Sequence, residues 1–266
     1  MVNGTHNPFD IAAVDPASNN LSDLLSTYVI PGINPAINIQ ALNYPAAVFP
    51  MHASVATGVT DLTNVLLQNN NGSNPETNSP FMVLAVSQGA IVWSAVLEKY
   101  LTGTLGIPNA QCLGSCTFGN PVRNMGSYVG TSPGGAGILA PTLGPSPLSP
   151  LITDYADAGD LFTSCSNPAV TLIANALYNV WGGSRLTAFQ VLQEWGALLQ
   201  GNTFFTLLAA YDELYAFAAS GAAPHNAYWS TPNEFGGGNE SAATLAYANI
   251  NNWYAAWLLN WTNTYG

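Results

Sequence analysis

FMVLAVSQGAIVWSAVL, Phe81 to Leu97, is an apolar run broken by Ser87-Gln88-Gly89 and then resumed at once. Phe81 to Val86 has the length and composition of a buried strand, and Ala90 to Leu97 is rich in residues that suit a buried helix. No loop separates them. The serine has a small residue two places before it, Ala85, and another two places after it, Gly89. A strand that feeds a helix through such a serine has the form of a nucleophile elbow, a sharp turn that lifts a hydroxyl above the edge of a sheet. A serine in an apolar stretch is also often just a tolerated polar residue, so the rest of the chain must supply it with partners.

The 266 residues suffice for one large α/β domain, alone or with a small insertion. The chain is 48% hydrophobic but only 6% charged, so Asn, Ser, Thr and Gly must cover its surface. The net charge is −11, with Lys99, Arg123 and Arg185 as the only lysine and arginines. That argues against nucleic acid and anionic membranes as partners, because both need clustered basic side chains. No run approaches the roughly 20 apolar residues that cross a bilayer. MVNGTHNPFD lacks the basic and apolar regions of a secretion signal. Cys112, Cys116 and Cys165 make an odd count. Cys112 and Cys116 could close a small disulfide, or one of them could reach Cys165. With no histidine nearby in sequence, a zinc site is not expected.

Met1 to Thr5 and Asn38 to Leu42 read as strands, Val55 to Leu67 as a helix, Ala110 to Phe118 as a strand, and Leu151 to Thr153 as another. Gly130 to Pro150 is rich in Gly, Pro and Ser and reads as a long loop. From Asn167 the period changes to that of helices. One starts at Ser166-Asn167-Pro168, a second at Ser184, and a third carries Leu207, Leu208, Tyr211, Leu214 and Tyr215. Ser241 caps a last helix bearing Tyr247, Trp253, Trp257 and Trp261, a spacing that usually means core packing and otherwise an apolar surface. The organisation expected is a hydrolase core over 1–165, a helical insertion over 166–221, and a return to the core over 222–266.

A serine hydroxyl needs a base, and the base needs an acid to orient it. The chain offers His6, His52 and His225, and only His225 follows Ser87, as the triad order of α/β hydrolases requires. The acid must lie between them, where ITDYADAGDLF supplies Asp154, Asp157 and Asp160. Asp160 follows Gly159 at a tight turn and precedes Leu161-Phe162, which suits an acid held still against imidazole Nδ1. The spacing does not match a calcium-binding EF-hand loop. For the oxyanion hole, one donor is the backbone N–H of Gln88, and Asn3-Gly4-Thr5 places the Thr5 N–H as the other.

In this order, VNGT at the start, YPAAVFPMHASVATGV (Tyr44 to Val59), AVSQGA around Ser87, TFGNPVR (Thr117 to Arg123), DYADAGDLF and the late Pro224-His225 resemble the lysin B family of mycobacteriophages. The resemblance runs from Val2 to about Tyr228, with Ala85 where that family has glycine. It implies a cutinase-like α/β-hydrolase fold with a central parallel sheet and a helical linker subdomain. It also implies Ser87 as nucleophile, Asp160 as acid and His225 as base, with no metal or cofactor. The implied reaction is hydrolysis of the ester joining mycolic acid to arabinogalactan. The protein would then be phage-encoded, made in the host cytoplasm and active on the host envelope at lysis, as a monomer. A cutinase, a general lipase, an acyltransferase, or a virion binding domain of the same fold remain open alternatives.

Overall fold

The computed structural model describes residues 30–47, 51–69, 80–108, 111–182, 204–219, 225, 228 and 241–265. Within them, three parallel strands lie in the order β1 (Phe81–Val86), β2 (Cys112–Phe118) and β3 (Ile152–Tyr155). The helices are α1 (Met51–Asn69), α2 (Gln88–Leu101), the single turn α3 (Ala140–Leu143), α4 (Pro168–Gly182), α5 (Phe204–Ala219) and α6 (Ala242–Tyr265). The expected strand at Met1 to Thr5 and the helix opened by Ser184 lie outside the described residues. Asn38 to Leu42 is not a ladder strand among the described residues: it runs without regular structure, apart from a single bridge residue at Leu42.

Parallel strands covered on both faces read as continuous apolar runs rather than alternations, and FMVLAV does so because it is sandwiched. Phe81, Val83 and Ala85 face one core with α1 and α2, while Met82, Leu84 and Val86 face a second core with α6. The α6 side is tight. Gly114 lies under the indole of Trp253, and an added Cβ would come within 2.8 Å of the ring. Along α6 the tryptophans divide: Trp253 packs on the sheet, and Trp261 stands 49% exposed. Ser241 caps this helix as expected, its hydroxyl accepting the Thr244 N–H at 3.2 Å.

An irregularity between Phe81 and Met82 leaves Leu113 as an extra residue in β2, since Phe81 pairs with Cys112 and Met82 with Gly114. One residue of slip exchanges the two faces of a strand. Cys112 therefore enters the α2 core, where its N–H donates to the Tyr100 hydroxyl, while Cys116 enters the α6 core. All three cysteines are free and buried, so the disulfides considered from spacing do not form. Two residues of one strand, on opposite faces of its sheet, cannot be bridged.

The helices α4 and α5 pack against each other, and α4 packs against α1. Val170, Tyr178 and Ala210 belong to the same apolar cluster as α1 and α2. The 130–150 segment is irregular except for α3 and a single antiparallel bridge from Ala136 to Cys165. No helix among the described residues is long and apolar enough to cross a membrane.

Candidate active site

The chemistry-bearing residues gather beyond the carboxyl ends of the three strands, where open α/β sheets leave a crevice for ligands. Ser87 follows the last residue of β1 and precedes the first of α2. Its backbone has φ 51 and ψ −119, a left-handed value that a side chain rarely adopts. The serine N–H still donates to the Phe118 carbonyl at 2.8 Å, so the turn is clamped to the end of β2. The amino end of α2 adds the positive end of a helix dipole beside the hydroxyl.

The next residue is tied down from the other side. Gln88 is buried, its Nε2 donates to the Ala47 carbonyl at 2.9 Å, and its Oε1 accepts the Ser54 hydroxyl at 3.0 Å. Ser54 Oγ in turn accepts the Ala47 N–H at 3.0 Å. Both the loop before α1 and α1 itself therefore fix the residue whose backbone N–H was assigned to the oxyanion hole. Thr5, the other assigned donor, lies outside the described residues, as does His6. His52 is exposed on α1, with its ring edge-on to Tyr178.

Asp160 and His225 do meet. Imidazole Nδ1 and carboxylate Oδ2 are 2.8 Å apart, with Asp160 fully buried and His225 9% exposed. The carboxylate is fixed at its other oxygen too, where Oδ1 accepts the Phe162 N–H at 3.0 Å. Phe162 stands edge-on to the imidazole, with ring centroids 4.8 Å apart, and also meets Phe217 of α5 at 5.3 Å. Gly119, directly after β2, forms the floor beneath this pair. Its φ is +59, and a Cβ there would lie 2.4 Å from His225 Cε1 and 3.2 Å from Asp160 Oδ2. Because Phe118 holds the Ser87 N–H and Gly119 carries the imidazole, adjacent residues of one strand end support both groups. Among the described residues no hydrogen bond joins the Ser87 hydroxyl to His225. Such a contact is commonly long before substrate arrives.

Of the other two aspartates, Asp157 accepts the Gly159 N–H at 2.6 Å and shapes the turn that carries Asp160. Asp154 is buried on β3. Its carboxylate accepts the Thr117 and Ser127 hydroxyls, and also Asn120 Nδ2 at 2.9 Å. Burial pushes its affinity for a proton above the usual carboxylate range, against the opposing pull of those hydrogen bonds and of the Arg123 charge. Arg123 is itself fully buried. Its guanidinium donates to the carbonyls of Thr163 at 2.8 Å, Ser127 at 3.0 Å, Gly134 at 2.9 Å and Gly135 at 2.8 Å. One of the chain's few cations thus ties the 124–135 loop to the segment that follows Asp160.

Sequence reading missed Tyr228, whose hydroxyl donates to Asp160 Oδ2 at 2.7 Å. It also passed over Gly119 and Ser54, of which only a glycine immediately after a strand carries a recognisable signature.

No protein-family model matches the chain, and no curated protein matches it. Among solved structures, lysin B from Mycobacteriophage D29 matches with a TM-score of 0.51 and 24% identity, over 76% of this chain and 87% of that one. A cutinase-like protein from Cryptococcus sp. matches with a TM-score of 0.44 and 16% identity, over 80% of this chain and 91% of that one. The first likeness shows the fold, and the α/β class expected from the sequence is the class observed.

Proposed function

We propose that the protein is a serine esterase in which Ser87 is the nucleophile, His225 the base and Asp160 the acid that orients it. The observation that carries this reading is the buried 2.8 Å contact between Asp160 and His225, placed on the strand end that also holds the strained turn at Ser87. Ser87 Oγ attacks an ester carbonyl carbon as His225 Nε2 takes the hydroxyl proton, forming a tetrahedral oxyanion. The Gln88 N–H at the start of α2 and the Thr5 N–H stabilise that oxyanion. The carbon–oxygen bond to the alcohol then breaks, the alcohol leaves with the proton from His225, and an acyl-serine remains. Water, deprotonated by the same imidazole, releases the acid and restores the serine.

The substrate class proposed is a lipid ester, with the mycolic acid ester of a mycobacterial-type envelope as the specific case implied by the sequence resemblance. Apolar helices beside the site support a long-chain acyl group, since Phe217 of α5 reaches the histidine through Phe162. On this reading the protein is a phage product that acts on the host envelope during lysis.

The test is labelling with a fluorophosphonate, beside a Ser87→Ala control, and turnover of nitrophenyl esters of rising chain length. Labelling at Ser87 with turnover supports the esterase, and rates that hold or rise with chain length support the lipid substrate. A second reading, a binding domain that keeps the fold without catalysis, rests on the missing Ser87–His225 hydrogen bond. A folded protein that the probe does not label would select it.

A further inference from the structure

Asp160 Oδ2 accepts two hydrogen bonds, not one. The imidazole of His225 approaches at 2.8 Å and the Tyr228 hydroxyl at 2.7 Å. The tyrosine is no accidental neighbour. It is buried, its ring stands edge-on to Phe118 at 6.2 Å, and its oxygen accepts the Asp157 N–H at 3.2 Å. With that acceptor site filled by an amide, the phenolic proton points at the carboxylate. Burial, and then the Asp160 charge, push the tyrosine far above its ordinary range, so it stays a donor at any working pH.

We propose that Tyr228 is a positioning residue of the dyad, sharing one carboxylate oxygen with His225 and so setting the pH above which the imidazole can act as a base. The proposal rests on the esterase reading for its consequence, but not for its physics. A hydrogen bond to a carboxylate favours the more negative state of the Asp160–His225 pair. It also draws electron density from the oxygen that would otherwise stabilise an imidazolium. Both effects resist protonation of the pair, whichever member takes the proton. Loss of the hydroxyl therefore makes the pair more basic, and the acid limb of kcat/KM moves to higher pH.

Other charged and titratable groups face this cluster. Asp157 lies beside the phenol, Arg123 is close enough to feel both Asp160 and Tyr228, and Asp154 sits next to Arg123. Tyr155 stacks on Phe118, and its hydroxyl accepts Asn249 Nδ2 at 3.0 Å. All four remain in place when the Tyr228 hydroxyl is removed. The 157–160 turn also survives, because Asp160 N–H still donates to the Asp157 carbonyl and the Ser164 hydroxyl to the same carbonyl.

The experiment is to follow the His225 imidazole titration by NMR, tractable with three histidines in the chain, beside the pH profile of kcat/KM. Tyr228→Phe is expected to raise the His225 midpoint and the acid limb together by roughly half to one pH unit, the size of a partial change in one charge-assisted hydrogen bond. Site-specific 3-fluorotyrosine at position 228, a stronger donor of the same shape, is expected to lower both, and it decides the matter if the phenylalanine variant does not fold. Tyr155→Phe is expected to move neither. A His225 midpoint that stays put in both Tyr228 forms, with rates lowered evenly across pH, overturns the proposal. Repeating the titration in Ser87→Ala separates the two readings, because the midpoint responds there even if no ester is ever turned over.

Discussion

Gly119→Ala tests the placement of the dyad most directly. The added methyl would lie 2.4 Å from His225 Cε1 and 2.7 Å from Nδ1, against an ordinary contact distance of 3.4 Å or more. The imidazole must therefore retreat by about 1 Å, a misplacement that costs on the order of 100-fold in rate when the group is catalytic. Stability falls as well, because a φ of +59 strains alanine by roughly 1–2 kcal/mol. A restricted unfolded chain offsets about 0.4–1 kcal/mol of that loss. Gly103 supplies the control. Its φ is +74 and a Cβ there meets nothing within 4 Å, so Gly103→Ala carries the same backbone strain without a collision. Denaturant unfolding should show similar destabilisation of the two variants, while kcat/KM on a soluble nitrophenyl ester falls only in Gly119→Ala. If the two folded variants kept kcat/KM within twofold of each other, the claim that Gly119 seats the base would be refuted.

Replacing Asp160 by Asn should leave the fold intact yet lower kcat by about 10⁴-fold, because the amide selects the wrong imidazole tautomer; a loss under tenfold in ester turnover would remove Asp160 from its role. Asp154 should separate charge from hydrogen bonding. Its folded-state proton affinity is raised, so its burial costs stability as pH climbs above the ordinary aspartate range of about 4, and the cost vanishes below that range. Asn at 154 can still accept from Thr117 and Asn120 and donate to Ser127. Unfolding curves from pH 4 to 8 should therefore show Asp154→Asn gaining on the native protein with rising pH, whereas Asp154→Ala loses about 1–3 kcal/mol for each donor left unpaired. Burial pushes the Cys112 and Cys116 thiols up to about 12, so neither should react with a thiol reagent at pH 8 until denaturant is added. Prompt modification of either one in the native protein would contradict the burial.

The part of the fold that local composition determines was legible. β1 was readable to the residue, because a parallel strand buried on both faces is a plain apolar run bounded by a polar turn. Helix boundaries were less so: α2 extends from Gln88 to Leu101, two residues before and four residues after the Ala90 to Leu97 stretch that reads as helix, since apolar periodicity marks a face and not an end. Nothing in CLGSCTF announces the bulge at Leu113, although it decides that Cys112 and Cys116 part company. At the site, Asp160 was distinguishable from its neighbours by the glycine before it, but Asp154 was not recognisable as a buried residue. An aspartate spaced three from another looks solvated until the strand carrying it is placed beside Thr117, 37 residues away. Tyr228 was hidden for the same reason, since its partner stands 68 residues earlier in the chain.

The backbone strain around Ser87 has a definite place in the molecule. Among the described residues, Ala46 and Ser87 are the only non-glycine positions with positive φ. They lie on either side of one side chain: Gln88 follows Ser87 directly, and its amide bonds the carbonyl of Ala47, which follows Ala46. Each such position costs about 1–3 kcal/mol and persists only where its surroundings leave no alternative. Those surroundings are visible here. Ser87 is held by the Phe118 carbonyl and by the first turn of α2, whose Ala90 N–H donates to the serine carbonyl at 2.9 Å. Ala46 is fully buried, and the Ser54 hydroxyl bridges the Ala47 N–H to Gln88. Relaxing either residue would break a buried hydrogen bond at the other. Two unfavourable conformations thus stabilise one arrangement, in which the serine, its neighbouring N–H and the loop before α1 converge on the same point in space. A fold with no use for that point could relieve both by substituting glycine, and the chain has 25 glycines but places none at either position.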